Sequence, residues 1–436
     1  MFKTLQNAFK VKEIRTKLLF TFLMLIVIRL GSQLPVPGVN LELFSNWLSQ
    51  NMQDNLGFLS AFTGGSFEKM SLFALNITPY ITSSIIMQLL TIAIPKLEEM
   101  QKEGEDGRKK IASITRYVTV GLALIESTAM AIGFKNGNML NENSVLEIVS
   151  IVAALTAGSA FLMWIGEQIT ENGVGNGISV VLTINIISRI PEDFANLFKT
   201  YVVGQSFAKA ALAVVIIVAV VVGTVVLTVI LNGGERRIPV QYAKKVQGRK
   251  IVGGQSSHIP LKVNTGGVIP IIFASSLMQL PIVISSFFQV KSQGWNTFLG
   301  MLNSGRWFSK ANPISSIGVV IYIVLVIFFA YFYTSITFNP IEIADNMKKQ
   351  GGFVPGIRPG KPTSEYLTKI LNYIIFIGAV GLIIVAMIPI FFNGYFNLSV
   401  SFGGTSLIII VGVILETLKQ IESMMLVRNY KGFLND

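Results

Sequence analysis

The chain has 436 residues, 51% hydrophobic and 13% charged, with a net charge of +12. A soluble domain carries about 25% charged residues, so a string of soluble domains is excluded and much of this surface faces something other than water. With no cysteine and a single histidine, His258, there is no disulfide scaffold, no thiol chemistry and no zinc site of the usual ligand set.

The N-terminal stretch MFKTLQNAFKVKEIRTK is basic and runs into an apolar segment without a small-residue cleavage site. It reads as an uncleaved first span, not a signal peptide. A membrane helix needs about 20 mostly apolar residues. Such stretches lie near 18–36, 73–95, 112–134, 145–166, 177–191, 210–232, 266–290, 314–337, 369–390 and 403–420. The fifth is the weakest, being short and opening after a glycine-rich turn. The segment 56–72 is too polar to span but carries Phe58, Leu59, Phe62 and Phe67, as expected of a short helix folded back into the membrane.

Lysine and arginine placement sets the expected topology. Basic residues crowd the N-terminus (Lys3, Lys10, Lys12, Arg15, Lys17) and the loop 96–111 (Lys96, Lys102, Arg108, Lys109, Lys110). They crowd 233–265 (Arg236, Arg237, Lys244, Lys245, Arg249, Lys250) and 338–368 (Lys348, Lys349, Arg358, Lys361) as well. The intervening loops, at 37–72, 135–144, 192–209, 291–313 and 391–402, are much poorer in base. The alternation fits ten spans with both termini in the cytoplasm. Two halves of five spans would then be related by inverted topology, with a pathway at their interface. No identity between the halves is visible, so the repeat is an expectation.

Enzyme signatures are missing: there is no GxxxxGK[ST] phosphate loop, no HExxH pair and no GxSxG elbow. Arg29 and Glu126 are charges inside spans, which makes them functional candidates. The alternatives are that Arg29 snorkels to the outer interface and Glu126 pairs with a neighbouring helix. The segment GGERRIPVQYAKKVQGRK (233–250), followed by Gly253-Gly254 and His258, reads as a small ordered protrusion of hairpin type. ADNMKKQGGFVPGIRPGKPT (344–363) is similarly rich in Gly, Pro and base. Orientation alone does not need loops of this length with internal turn chemistry. Docking of an acidic partner, an RNA or an acidic protein, does. NITPYITSSIIMQLL (76–90) carries Pro79 and polar residues, and GGVIPIIFASS (266–276) carries Pro270 and two serines. Such faces line a protein interface or water more often than lipid.

These segments, taken in order, resemble the SecY/Sec61α family of protein-conducting channels. The resemblance rests on VIRLGSQLPVPGV (27–39), FTGGSF (62–67), NITPYITSSIIMQLL, KEGEDGRKKI (102–111) and MWIGEQITENGVGNGIS (163–179). It continues through YAKKVQGRK (242–250), GGVIPIIFASS, FNPIEIADNMKKQGGFVPGIRPG (338–360) and FGGTSL (402–407), and so covers nearly the whole chain. The short N-terminus and the PGIRPG loop are similar to the bacterial branch.

The resemblance implies an all-α polytopic membrane protein. Ten spans would form two pseudo-symmetric inverted halves, 1–191 and 192–436, around an hourglass pore. The family's waist ring falls on Ile77, Ile81, Ile178, Leu182, Ile272 and Ile409. Branched apolar side chains suit that position because they dewet a constriction and yield to a passing chain. The family's plug falls near 58–68, with Phe62, Gly64, Gly65 and Phe67. A sideways opening to lipid would involve Gln88, Ser275 and Ser276. The basic loops match a dock for the ribosome and the SecA motor ATPase, on Arg249, Lys250, Lys348, Lys349 and Arg358. The small subunits SecE and SecG, signal peptides and preproteins are the other implied partners, in a bacterial cytoplasmic membrane. No cofactor and no enzymatic activity are implied. A small-solute transporter would instead show convergent charges at the membrane midplane, and a membrane-embedded enzyme a catalytic set.

Overall fold

The structure, a computed structural model, describes residues 8–51, 63–142, 144–201, 207–242, 245–247, 250–252, 256–287, 292–304, 307–308, 313–396 and 404–432. The first half contains α1 (Lys12–Gly31), α2 (Leu41–Asn51), α3 (Thr78–Ala93), α4 (Pro95–Lys102), α5 (Glu105–Asn136), α6 (Val145–Asn172) and α7 (Gly177–Tyr201). After α8 (Phe207–Gly233) come β1 (Glu235–Tyr242), β2 (Lys245–Gln247), β3 (Lys250–Val252) and β4 (Ser256–Lys262). The chain continues with α9 (Ile269–Phe287), α10 (Gln293–Leu302), α11 (Ile317–Thr337), α12 (Pro340–Lys349), β5 (Gly352–Phe353), α13 (Lys361–Phe396) and α14 (Gly404–Gly432).

Among the described residues, 5 helical stretches are long and apolar enough to cross a membrane: Glu105–Asn136, Val145–Asn172, Ala210–Gly233, Ile314–Lys349 and Lys361–Ile388. Thr78–Ala93 and Pro95–Lys102 together make a further candidate, bent by 99°. The bend follows from Pro95, which holds Ile94 extended by clashing with the preceding backbone. α8 shows how apolar these surfaces are. Only 11% of its most apolar window is buried. Leu212, Val215, Val222 and Ile230 are exposed along it, a surface stable against lipid tails and not against water.

Helix limits differ from the hydropathy stretches in two instructive ways. α7 runs past Pro191 to Tyr201, and α13 and α14 also outrun their apolar windows. Hydropathy marks the part of a helix that suits lipid, whereas backbone hydrogen bonding carries the helix on into polar flanks. Pro79 and Pro270, which fall within the apolar stretches, lie in the first turns of α3 and α9. There the missing N–H has no intrahelical partner to lose.

The two basic loops join into one body. β1 pairs antiparallel with β4 from Glu235↔Lys262 to Gln241↔Ser256, which makes the expected hairpin. β5 from the second loop then pairs on the other edge of β1, through Gln241↔Phe353 and Tyr242↔Gly352. The sheet order is β4-β1-β5. Alternation along β1 turns Ile238 and Val240 inward, where they meet Leu261, Met347, Val354 and Leu367. α12, which precedes β5, is capped by the Asn339 side chain and has Pro340 in its first turn. It ends on Lys348 and Lys349, which complement the helix dipole.

Two apolar centres are the largest among the described residues. One joins α2, α5, α6 and the segment before α3, with Phe44 edge-on to both Phe67 and Phe134. The larger draws side chains from α1, α3, α6, α7, α9, α11, α13 and α14.

Candidate functional site

The larger apolar centre contains the six positions expected at a constriction. Ile77 immediately precedes α3 and Ile81 is one turn into it. Ile178 and Leu182 are likewise one turn apart on α7, Ile272 lies in the first turn of α9, and Ile409 is on α14. Residues four apart share a helix face, so each pair points the same way. Ile77 and Ile409 are 0% exposed, Leu182 2%, and Ile81 and Ile272 5%. Ile178 is partly buried and packs against the same centre. Chain segments up to 332 residues apart (409 − 77) thus bring branched aliphatic side chains into one dry cluster.

Along α7 the apolar face changes character. Ile178, Leu182, Asn185 and Arg189 follow one another at spacings of four, three and four, which keeps them on one stripe. Asn185 is buried, and its Nδ2 donates to Asn76 Oδ1 at 2.9 Å. Asn76 has φ +53°, a conformation that asparagine tolerates better than most side chains, and it turns the chain into α3. Its carbonyl accepts from Ser159 Oγ of α6 at 3.0 Å. A polar layer therefore adjoins the apolar cluster on the side where the chain enters α3.

The described part of the expected plug lies against this polar layer. Gly64 has φ +62°, and a Cβ there would come within 2.6 Å of the Asn185 carbonyl oxygen. Only glycine fits that backbone angle and that approach together. Gly65 has φ +80°. Ser188 Oγ and Arg29 Nη1 each lie 3.5 Å from the Gly64 carbonyl oxygen. Arg189 Nη1 donates to Glu68 Oε1 at 2.5 Å, and Arg189 Nε lies 4.0 Å from Asp193 Oδ1. Phe67 packs edge-on to Phe44 of α2, with ring centroids 5.7 Å apart. Phe62 and residues 58–61 lie outside the described residues.

Arg29 thus reaches toward the loop at Gly64. Glu126 is partly buried on α5, beside Ser127, whose hydroxyl shares a hydrogen bond with Thr156 of α6 at 2.9 Å.

α9 packs on both α3 and α5. Gln88 on α3 donates from Nε2 to Ser84 Oγ at 3.3 Å within its own helix. It lines a crevice of about 280 Å³ with Tyr80, Arg108, Thr115, Glu167 and Ile336. Ser275 on α9 is buried and Ser276 partly so. Gln88 and Ser275 therefore sit on helices that pack together, and the side-chain amide of Gln88 is given to Ser84 of its own helix.

On the basic platform, Lys348, Lys349 and Arg358 are exposed. Arg358 sits on a tight turn between Gly356 (φ +82°) and Gly360 (φ +98°), braced by Thr363 Oγ1 donating to its carbonyl at 2.8 Å. Lys250 is a backbone partner of Gln247 in the β2–β3 hairpin, and Arg249 lies outside the described residues.

Glu68, Asn76, Asn185 and Arg189 did not stand out in the sequence. The signal was there in part. Asn185 and Arg189 continue the Ile178–Leu182 stripe, and a stripe that turns from aliphatic to polar inside a membrane stretch marks a face that does not meet lipid.

A SecY family model matches residues 71–418. The protein translocase subunit SecY of Halalkalibacterium halodurans is 43% identical over 443 residues, with 100% of each chain covered. That of Bacillus subtilis is 43% identical over 448 residues, again with 100% of each covered. That of Staphylococcus aureus is 41% identical over 440 residues, covering 99% of each. Among solved structures, a protein-conducting channel superposes with a TM-score of 0.62 at 16% identity, covering 94% of this chain and 92% of that one. Sec61 in the canine ribosome–channel complex from the endoplasmic reticulum gives 0.58 at 16% identity, with the same coverage. At this identity the two likenesses speak for the fold. Together, the family model and the full-length relatives establish that the chain belongs to the SecY family.

Proposed function

We infer that the chain is the pore-forming subunit of a protein translocase, a channel and not an enzyme, through which unfolded polypeptides cross a membrane. The observation that carries this reading is the convergence of Ile77, Ile81, Leu182, Ile272 and Ile409 in one buried aliphatic cluster drawn from four separate helical segments. A dry waist of branched side chains excludes water and ions at rest and offers a passing chain no specific hydrogen bond. Ten spans in two inverted halves, 1–191 and 192–436, around that waist are the architecture we propose. The alternation of basic and base-poor loops supports it, with both termini in the cytoplasm of a bacterial cell.

Other features fit parts of such a channel. Residues 63–68, held against α7 by Gly64 and Arg189, serve as a plug that continues through Phe62. The seam where α9 meets α3 and α5, with Gln88, Ser275 and Ser276, is the proposed lateral exit for hydrophobic segments and signal peptides. The β4-β1-β5 platform is the proposed dock for SecA or the ribosome, with Arg249 and Lys250 on one loop and Lys348, Lys349 and Arg358 on the other. Its support is that β5 of the second loop pairs with β1 of the first and one small core joins them, so Lys348, Lys349 and Arg358 extend from the same body as the first loop's hairpin. SecE and SecG are the proposed membrane partners.

The test is reconstitution. The chain, purified with its small subunits and placed in proteoliposomes, is expected to translocate a preprotein when SecA and ATP are added. Binding of SecA without protein import would reject the reading.

A further inference from the structure

We propose that Glu68, Arg189 and Asp193 form a charge latch that sets how readily the plug segment leaves the pore, with Arg189 as the positioning residue shared between two carboxylates. The inference rests on reading residues 63–68 as a plug.

The side chains of Arg189, Asp193 and Glu68 are 11%, 3% and 22% exposed. A guanidinium this far from water needs an anion close by, because an unpaired buried charge is costly. Arg189 has two within reach, and they belong to different bodies. Asp193 is one turn further along α7, 4.0 Å from Nε, and moves with Arg189. Glu68 is on the plug loop, 2.5 Å from Nη1, and leaves when the loop leaves. Hydrogen bonds between a guanidinium and a carboxylate are stronger than those between neutral groups.

This division gives the two carboxylates opposite effects. Glu68 stabilises the closed arrangement, since its contact exists only there. Asp193 stabilises the arrangement without the loop, since it keeps Arg189 compensated once Glu68 has gone. The loop can therefore detach without stranding a buried cation. At the other end of the same segment Arg29 Nη1 lies 3.5 Å from the Gly64 carbonyl oxygen, while the Ser188 hydroxyl donates to the Asn185 carbonyl at 2.7 Å. The latch also sits on the α7 stripe that carries Ile178 and Leu182, so a movement of α7 that widens the waist pulls on Arg189 directly.

The experiment uses the full chain with its small subunits in planar bilayers, with Ser66→Cys added as a reporter. Ser66 is 2% exposed at rest, so a membrane-impermeant maleimide labels it only when the segment moves. Glu68→Gln is expected to raise both the labelling rate and the resting ion conductance about 10-fold. Glu68→Asp, which keeps the charge on a shorter arm, should fall between. Asp193→Asn should shift both readouts the other way, with labelling about 3-fold slower than in the parent. A rise in labelling without a rise in conductance would keep the latch and reject the plug reading. Unchanged labelling in Glu68→Gln overturns the latch, and so does Glu68→Asp behaving like Glu68→Gln. Labelling in Asp193→Asn that equals or exceeds the parent's overturns the sharing of Arg189. Should Asp193→Asn fail to fold, the Glu68 variants still decide the latch.

Discussion

Replacing Ile409 with asparagine probes the waist most directly. Ile409 is fully buried in the central aliphatic cluster. Removing its branched side chain from that environment forfeits about 2 kcal/mol of apolar burial. Its replacement also leaves an amide facing aliphatic neighbours, which adds about 1 kcal/mol or more for an unpaired polar group. Both effects act on the closed channel. In the open channel the same position borders water, where asparagine is well solvated. The closed state therefore loses about 3 kcal/mol relative to the open one, a rise in conducting fraction on the order of 100-fold. The assay is single-channel and bulk conductance of the reconstituted complex at fixed voltage, with thermal unfolding to confirm the fold. Ile409→Val, which keeps the shape class, should raise conductance by less than about 10-fold. Leu367→Asn is the control: Leu367 is equally buried but belongs to the basic platform, so it should lower stability and leave conductance alone. An Ile409→Asn channel that folds and conducts like the parent would refute the waist, as would an equal rise from Leu367→Asn.

Three other outcomes are expected. Gly64→Ala forces a side chain to φ +62° and to 2.6 Å from the Asn185 carbonyl oxygen, at a cost of about 1–3 kcal/mol in the closed state. Resting conductance should rise about 10-fold, and a silent substitution would reject the close approach of the plug to α7. Arg358→Glu alters an exposed turn, so stability should change by less than about 0.5 kcal/mol. SecA-driven import of a reporter preprotein should nonetheless fall about 10-fold, and unimpaired import would remove the platform from motor docking. Cysteine pairs placed at Gln88 and Ser275, and at adjoining registers on α3 and α9, should form disulfides in resting membranes and fail to form while a preprotein occupies the channel. Absence of crosslinks in every register would reject the seam as an exit.

The proposed site residues were read from the sequence by two different routes. The six aliphatic positions came from motif resemblance alone. Their local sequence is indistinguishable from packed membrane helix, since an isoleucine facing a pore and one facing a neighbour have the same chemistry. The basic loops came from charge and turn residues, and the hairpin of the first loop followed from its glycines and alternating pattern. What was not legible was the pairing of β5 with β1, because Gly352 and Phe353 carry no strand signal of their own and are ordered by the edge they join. The roles of Pro79 and Pro270 also escaped, since a proline in an apolar run looks the same whether it interrupts a helix or starts one.

Hydropathy, the placement of lysine and arginine, and the lack of catalytic signatures are additive properties of local composition. They determined that this is a membrane protein of several spans with a strongly basic face. Tertiary structure decided which of many similar aliphatic residues share one dry cluster, and that Gln241 and Phe353, 112 residues apart (353 − 241), pair to join two loops into one platform. It also decided that Arg189 meets Glu68, its partner across 121 residues. Each of these depends on how helices pack, and packing is set by the whole set of contacts at once, so no window of sequence contains it.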